Sequence, residues 1–146
     1  MSTEQLIGQL RQTHELRDLF LRWFGASSTD LDAQLAPAAD DIVAYDHYAP
    51  QEHRGIDALR AVRAQALTSH GREFRWDIPD LHLRIVGDIA IGWGLHRSRD
   101  TGPDGIRFEE WSRGTHVFER RDGRWQMIHQ HLSYPIDTDG HAHTAR

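Results

Sequence analysis

Apolar positions alternate with polar ones in two different rhythms along this chain. Through the first part they recur at spacings of three and four: Leu6, Ile7, Leu10, Leu16, Leu19, Phe20, Trp23 and Phe24. That rhythm predicts an amphipathic helix from Thr3 to Phe24, about six turns long. Gly25-Ala-Ser-Ser-Thr closes it, and Asp30 is placed to cap a short second helix with Leu31 and Leu35 inward. Ile42 to Tyr45 reads as a short strand leading into the irregular loop Asp46-His47-Tyr48-Ala49-Pro50. A third helix is predicted from Ile56 to about His70, with Ile56, Leu59, Val62 and Leu67 on one stripe and Gly71 as its stop.

After Gly71 the rhythm changes to period two. Phe74, Trp76 and Ile78 alternate, Pro79-Asp80 interrupts, and Leu81, Leu83 and Ile85 resume, so a bend is expected at the proline. Gly87-Asp88 turns the chain into a strand from Ile89 to Arg99. Gly105 to Ser133 then reads as one long hairpin about Arg120-Arg121-Asp122-Gly123-Arg124. On its second strand His129, His131 and Ser133 are expected on one face, and Ile128, Gln130 and Leu132 on the other. Residues 1–136 make one domain, and 137–146 are expected to be a disordered tail. Helices first and antiparallel strands afterwards mean α+β. A strongly curved antiparallel sheet with three helices on its concave side would form a cone enclosing an apolar pocket.

Composition changes this picture by exclusion. The chain has no cysteine, so disulfides, thiol nucleophiles and cysteine-held metals are ruled out. All 17 basic residues are arginine, which excludes Schiff-base lysines. A net charge of −5 with scattered arginines argues against nucleic-acid binding. No apolar run approaches the length of a membrane span, and the N-terminal residues lack the pattern of a signal peptide, so a cytoplasmic location is expected. No serine sits in a G-x-S-x-G context, and there is no Gly-rich phosphate loop.

Three stretches carry a family resemblance: DGRWQMIHQHLSYP, the preceding RGTHVFER, and GDIAIGWG. With the helical half they resemble the SnoaL-like branch of the nuclear-transport-factor-2-like superfamily over about residues 3 to 135. The closing motif is also similar to the end of the calmodulin-dependent kinase II association domain, a hub rather than an enzyme. Asp30 to Gly55, DLDAQLAPAADDIVAYDHYAPQEHRG, resembles a stretch of the ketosteroid isomerases in which Asp46 falls on the catalytic base. In the same comparison His116 falls near an acidic oxyanion donor, while the first-helix tyrosine of those isomerases is replaced by Arg22 or Trp23.

The resemblance implies a pocket face with His96, Ser112, Gly114, His116, Ile128 and Gln130. It implies a cofactor-free isomerase, cyclase or dehydratase acting on a small apolar or aromatic ligand, in a homodimer. Asp46 and His116 would be catalytic; Tyr45, His47, His96, Ser112, Ile128 and Gln130 would bind substrate. Each has a plainer reading: Asp46 as a loop carboxylate capping backbone amides, His116 as a satisfied core histidine. The H-x-H pair His129 and His131 could in principle ligate a metal, but the expectation is no metal, with both rings bonding across the sheet or at a dimer interface. The alternative to an enzyme is a non-catalytic ligand-binding or hub-like domain.

Overall fold

A computed structural model describes residues 1–68 and 74–146. The elements are α1 (Thr3–Phe24), α2 (Leu31–Leu35), β1 (Ala38–Tyr45), β2 (His53–Arg54), α3 (Ile56–Leu67), β3 (Arg75–Asp77), β4 (His82–Val86), β5 (Ile89–Thr101), β6 (Arg107–Arg121) and β7 (Arg124–Ser133). Local chemistry fixes most boundaries. Ser2 and Gln5 form a reciprocal capping box at the start of α1. Asp30 accepts from the Ala33 amide at 3.0 Å to start α2. Asp122 and Gly123 both take positive φ, the two-residue turn that matches the twist of β6 and β7. The expected end of the third helix at His70 and Gly71, and the expected strand start at Arg72, lie outside the described residues.

The fold is α+β, a seven-stranded curved sheet in the order β2-β1-β7-β6-β5-β3, with β4 sharing the edge of β5. Pro79-Asp80 separates β3 from β4, so the two occupy successive parts of that edge. Every pairing is antiparallel except β1 with β7, which run parallel. This departs from the all-antiparallel expectation, because β1 precedes the long hairpin and returns beside its last strand. The helices cover one face. Leu16, Phe20 and Trp23 of α1 and Leu59 and Val62 of α3 pack with Ile42, Ala44, Phe118, Trp125 and Met127 of the sheet. Gly92 makes room for Phe20: a Cβ there would lie 2.8 Å from the phenyl ring.

One expectation about β7 needs correction. The register jumps between Val117↔His129 and Phe118↔Met127, leaving Ile128 as the extra residue of a bulge. Trp125 and Met127 therefore share the inner face with Gln130 and Leu132, and Ile128 does not. Residues 137–146 make a turn after β7. Ile136 bridges Ala142, and the Asp137 amide donates to the His141 carbonyl at 2.8 Å. The turn returns to β6, where β7 has already ended. The Trp111 amide donates to Thr144 at 2.7 Å, and the Arg146 guanidinium lies 4.7 Å from the Trp111 ring. A free strand edge with unpaired amides is what draws it there.

Candidate functional site

Between the helices and the inner face of the sheet lies a cavity of about 290 Å³. Its apolar wall is largely aromatic: Trp23 from α1, Phe74 just before β3, Trp76 within it, and Phe108 from β6. Its polar groups come from four elements: His47 from the loop after β1, Arg63 from α3, His96 from β5, Glu110 and Ser112 from β6. Gln130 and Tyr134 join them from β7 and the residue just after it. Strand alternation explains the β6 set, since Phe108, Glu110 and Ser112 share a face with His116.

The floor is a pair of buried imidazoles. His96 Nε2 and His116 Nε2 are 2.9 Å apart, one donating and one accepting. Trp76, His96 and His116 form a stack, with centroid distances of 5.2 Å and 5.0 Å. Gly114 makes this possible, because a Cβ at that position would overlap the His96 ring. Burial lowers both imidazoles: His96 is pushed down to about 3, and His116 falls well below the ordinary histidine value. Each also meets the other cationic candidates around it, His47 and Arg63 for His96, and His96, Arg63 and His129 for His116. Both rings are therefore neutral near pH 7.

The opposite wall is built on Asp46. Its carboxylate is wholly buried; Oδ1 accepts from the His47 amide at 2.8 Å, and Oδ2 lies 3.0 Å from Arg63 Nη2. That last contact is an ion pair without hydrogen-bond alignment, so Oδ2 has no hydrogen-bonded partner. His47 stacks on Tyr134, rings 4.2 Å apart and inclined by 20°. Burial lowers the His47 pKa, Asp46 opposes the shift, and Arg63 adds to it. Its Nε2 is buried and meets no hydrogen-bond partner, as does Gln130 Nε2. The Tyr134 phenol is pushed up to about 12, first by burial and then by the neighbouring Glu110 carboxylate, so it stays protonated.

Four of the residues expected from sequence line this cavity: His47, His96, Ser112 and Gln130. Asp46 sits behind the wall, held by Arg63. His116 is fully buried beneath His96, edge-on to Phe20 and Trp23, and touches the cavity only through His96. Ile128 is removed by the bulge. Tyr45 is on the outer face, its ring against His129 and His131 at 5.0 Å and 5.4 Å, because the side chains of β1 alternate and Ala44 takes the inward place. His129 Nδ1 meets the Val43 carbonyl at 2.7 Å. Among the described residues no three of His, Cys, Asp and Glu converge as a metal site would need.

Arg63, Glu110 and Tyr134 were missed. Each had a signal. Arg63 is a charge four residues from both Leu59 and Leu67 on the inward side of α3. Glu110 has the parity of Ser112 and His116, and Tyr134 that of Gln130 and Leu132.

Comparison with known proteins agrees with this architecture. Among the described residues no helix is long and apolar enough to cross a membrane. An NTF2-like protein of unknown function from Pseudomonas putida is 28% identical, with a TM-score of 0.81 over 91% of this chain and 94% of the other. A proposed dehydratase of the NTF2-like family from Streptomyces avermitilis shares 14% identity, with a TM-score of 0.73 over 86% and 97%. The association domain of CaMKII from C. elegans shares 18% identity, with a TM-score of 0.61 over 89% and 94%. No functionally curated protein matches the chain. The profile of the SnoaL-like domain matches residues 16–137. The chain belongs to the SnoaL-like family, within the NTF2-like superfamily.

Proposed function

We propose that the cavity carries out cofactor-free proton transfer on a small, largely apolar carbonyl compound. The observation that carries this reading is His47: a neutral imidazole with an unpaired, buried nitrogen, set in the cavity wall between a protonated phenol and a guanidinium. A neutral imidazole is a competent base near pH 7. The proton on the carbon beside the ligand's carbonyl passes to His47. The C–H electron pair moves into the carbonyl, and the developing oxyanion is stabilised by the Arg63 guanidinium. Returning the proton to another carbon isomerises the compound; passing it to a β-hydroxyl, which leaves as water, dehydrates it.

Asp46, expected from the isomerase resemblance to be the base, is assigned a different part. Its buried carboxylate holds Arg63 and receives the His47 amide, so it positions both. His96 offers a neutral hydrogen bond from the floor, and His116 fixes its orientation. Exchange of the methyl protons of 4-aminoacetophenone in D2O, followed by NMR, tests the assignment. His47→Gln is expected to slow exchange by at least 100-fold, the usual range for a general base. Asp46→Asn is expected to slow it far less. Equal losses would return the role to Asp46, and no exchange above the buffer rate in the wild type would favour the ligand-binding alternative.

The same reading includes a homodimer through the outer sheet face, where Tyr45, Trp93 and Leu95 are all exposed. Light scattering should give twice the mass of one chain. A monomer rejects the dimer, and a larger ring points to a hub.

A further inference from the structure

The cavity has a direction. Along β6 its inward residues run from Phe108, 48% exposed, through half-buried Glu110, to Ser112 at 6% and His116 at 0%. Tyr48, another lining residue, is 42% exposed. The mouth is therefore beside Glu110 and the floor beside the two neutral histidines. The charges are arranged along this axis. Arg63 is the one cation among the described residues of the wall, and Asp46 already offsets it at 3.0 Å. Glu110 is the one carboxylate among them; the Tyr134 hydroxyl donates to it, and no described cation pairs with it. With both lining imidazoles neutral, the mouth is left with an uncompensated negative charge and the interior with hydrogen-bond donors.

From this gradient we infer that Glu110 is a specificity-determining residue that admits neutral or amine-bearing aromatic carbonyl compounds and rejects carboxylates. The ligand enters carbonyl first. Its oxygen meets the Arg63 guanidinium inside, its ring lies among Trp23, Trp76 and Phe74, and a hydroxyl or amine at its far end donates to Glu110. A carboxylate in that far position would face a like charge in a partly desolvated mouth and would lose its water without gaining a partner. The volume sets the size: about 290 Å³ holds on the order of ten waters, or a ring with two short substituents. The inference rests on the cavity being a binding site for such compounds, as the proton-transfer reading requires.

Two probes with the same body separate the possibilities: 4-aminoacetophenone, with a neutral donor opposite the carbonyl, and 4-acetylbenzoate, with a carboxylate there. Calorimetric titration of the wild type should give at least a tenfold tighter Kd for the amine. Glu110→Gln keeps an acceptor for the Tyr134 hydroxyl and removes only the charge. It should bring the two Kd values within about threefold, mainly by tightening the benzoate. Equal binding of the two by the wild type, an unchanged ratio in Glu110→Gln, or no binding of either at millimolar concentration would each overturn the inference. The methyl exchange of bound 4-aminoacetophenone is read separately. Selective binding without exchange rejects the proton-transfer reading and leaves the charge filter standing. Exchange without selectivity does the reverse.

Discussion

Arg63→Met will destabilise the protein by about 2–3 kcal/mol, and adding Asp46→Asn will restore most of that loss. The Asp46 carboxylate has no exposed surface, and its Oδ2 has only the Arg63 guanidinium to offset it. Removing one member of a fully buried ion pair typically costs about 3–5 kcal/mol, because a lone charge stays behind. Arg63 keeps 24% of its side-chain surface, and water entering beside it lowers the figure. Asparagine removes the stranded charge while its amide oxygen still accepts from the His47 amide. Urea unfolding of the two single variants and the double variant measures the coupling. A coupling below about 0.5 kcal/mol would mean that Asp46 is solvated in solution and that the pair does not organise the wall. The cycle therefore tests the scaffold on which both the base assignment and the charge filter depend.

The fold was legible because its signals are periodic and local. The three-and-four spacing of α1, the Asp30 cap and the Asp122-Gly123 turn each specify one geometry, and the structure has each of them. The site was only half legible, for reasons that can be named. A bulge inserts one residue without any mark in the hydrophobic pattern, so the alternation counted through Ile128 placed that side chain on the wrong face. The face taken by Tyr45 depends on the parallel pairing of β1 with β7, a contact between segments more than 80 residues apart. Arg63 was hidden because its helix reads as an ordinary amphipathic stripe; only the buried Asp46 on another element makes its position meaningful. His116 faces inward, but depth along a strand is not written in its parity. Whether a ring touches a ligand or lies one layer beneath depends on what covers it, here His96.

That covered pair also governs the behaviour of the protein in acid. Between pH 6.5 and pH 5, stability is expected to fall by about 3 kcal/mol from His96 and His116 alone. The sign follows from burial. In the unfolded chain both imidazoles titrate near 6.5; in the folded chain His96 is held at about 3 and His116 is also strongly lowered. Below pH 6.5 the unfolded state binds protons that the folded state refuses, so protonation favours unfolding. The stability is fully present above the unfolded value and is lost as pH falls through the window down to the folded one. His47, lowered by the same cause, adds in the same direction, and Arg63 opposes the charging of all three. His116→Gln separates this account from general acid sensitivity. A glutamine can keep a hydrogen bond to His96 but has no proton to gain, so urea unfolding at the two pH values should show a loss smaller by about half. An unchanged slope would mean that His116 reaches solvent or a proton in the folded state. The floor on which His96 rests its hydrogen bond to a ligand would then gain a proton as pH falls below about 6.5, and the donor–acceptor order of the cavity would change with pH.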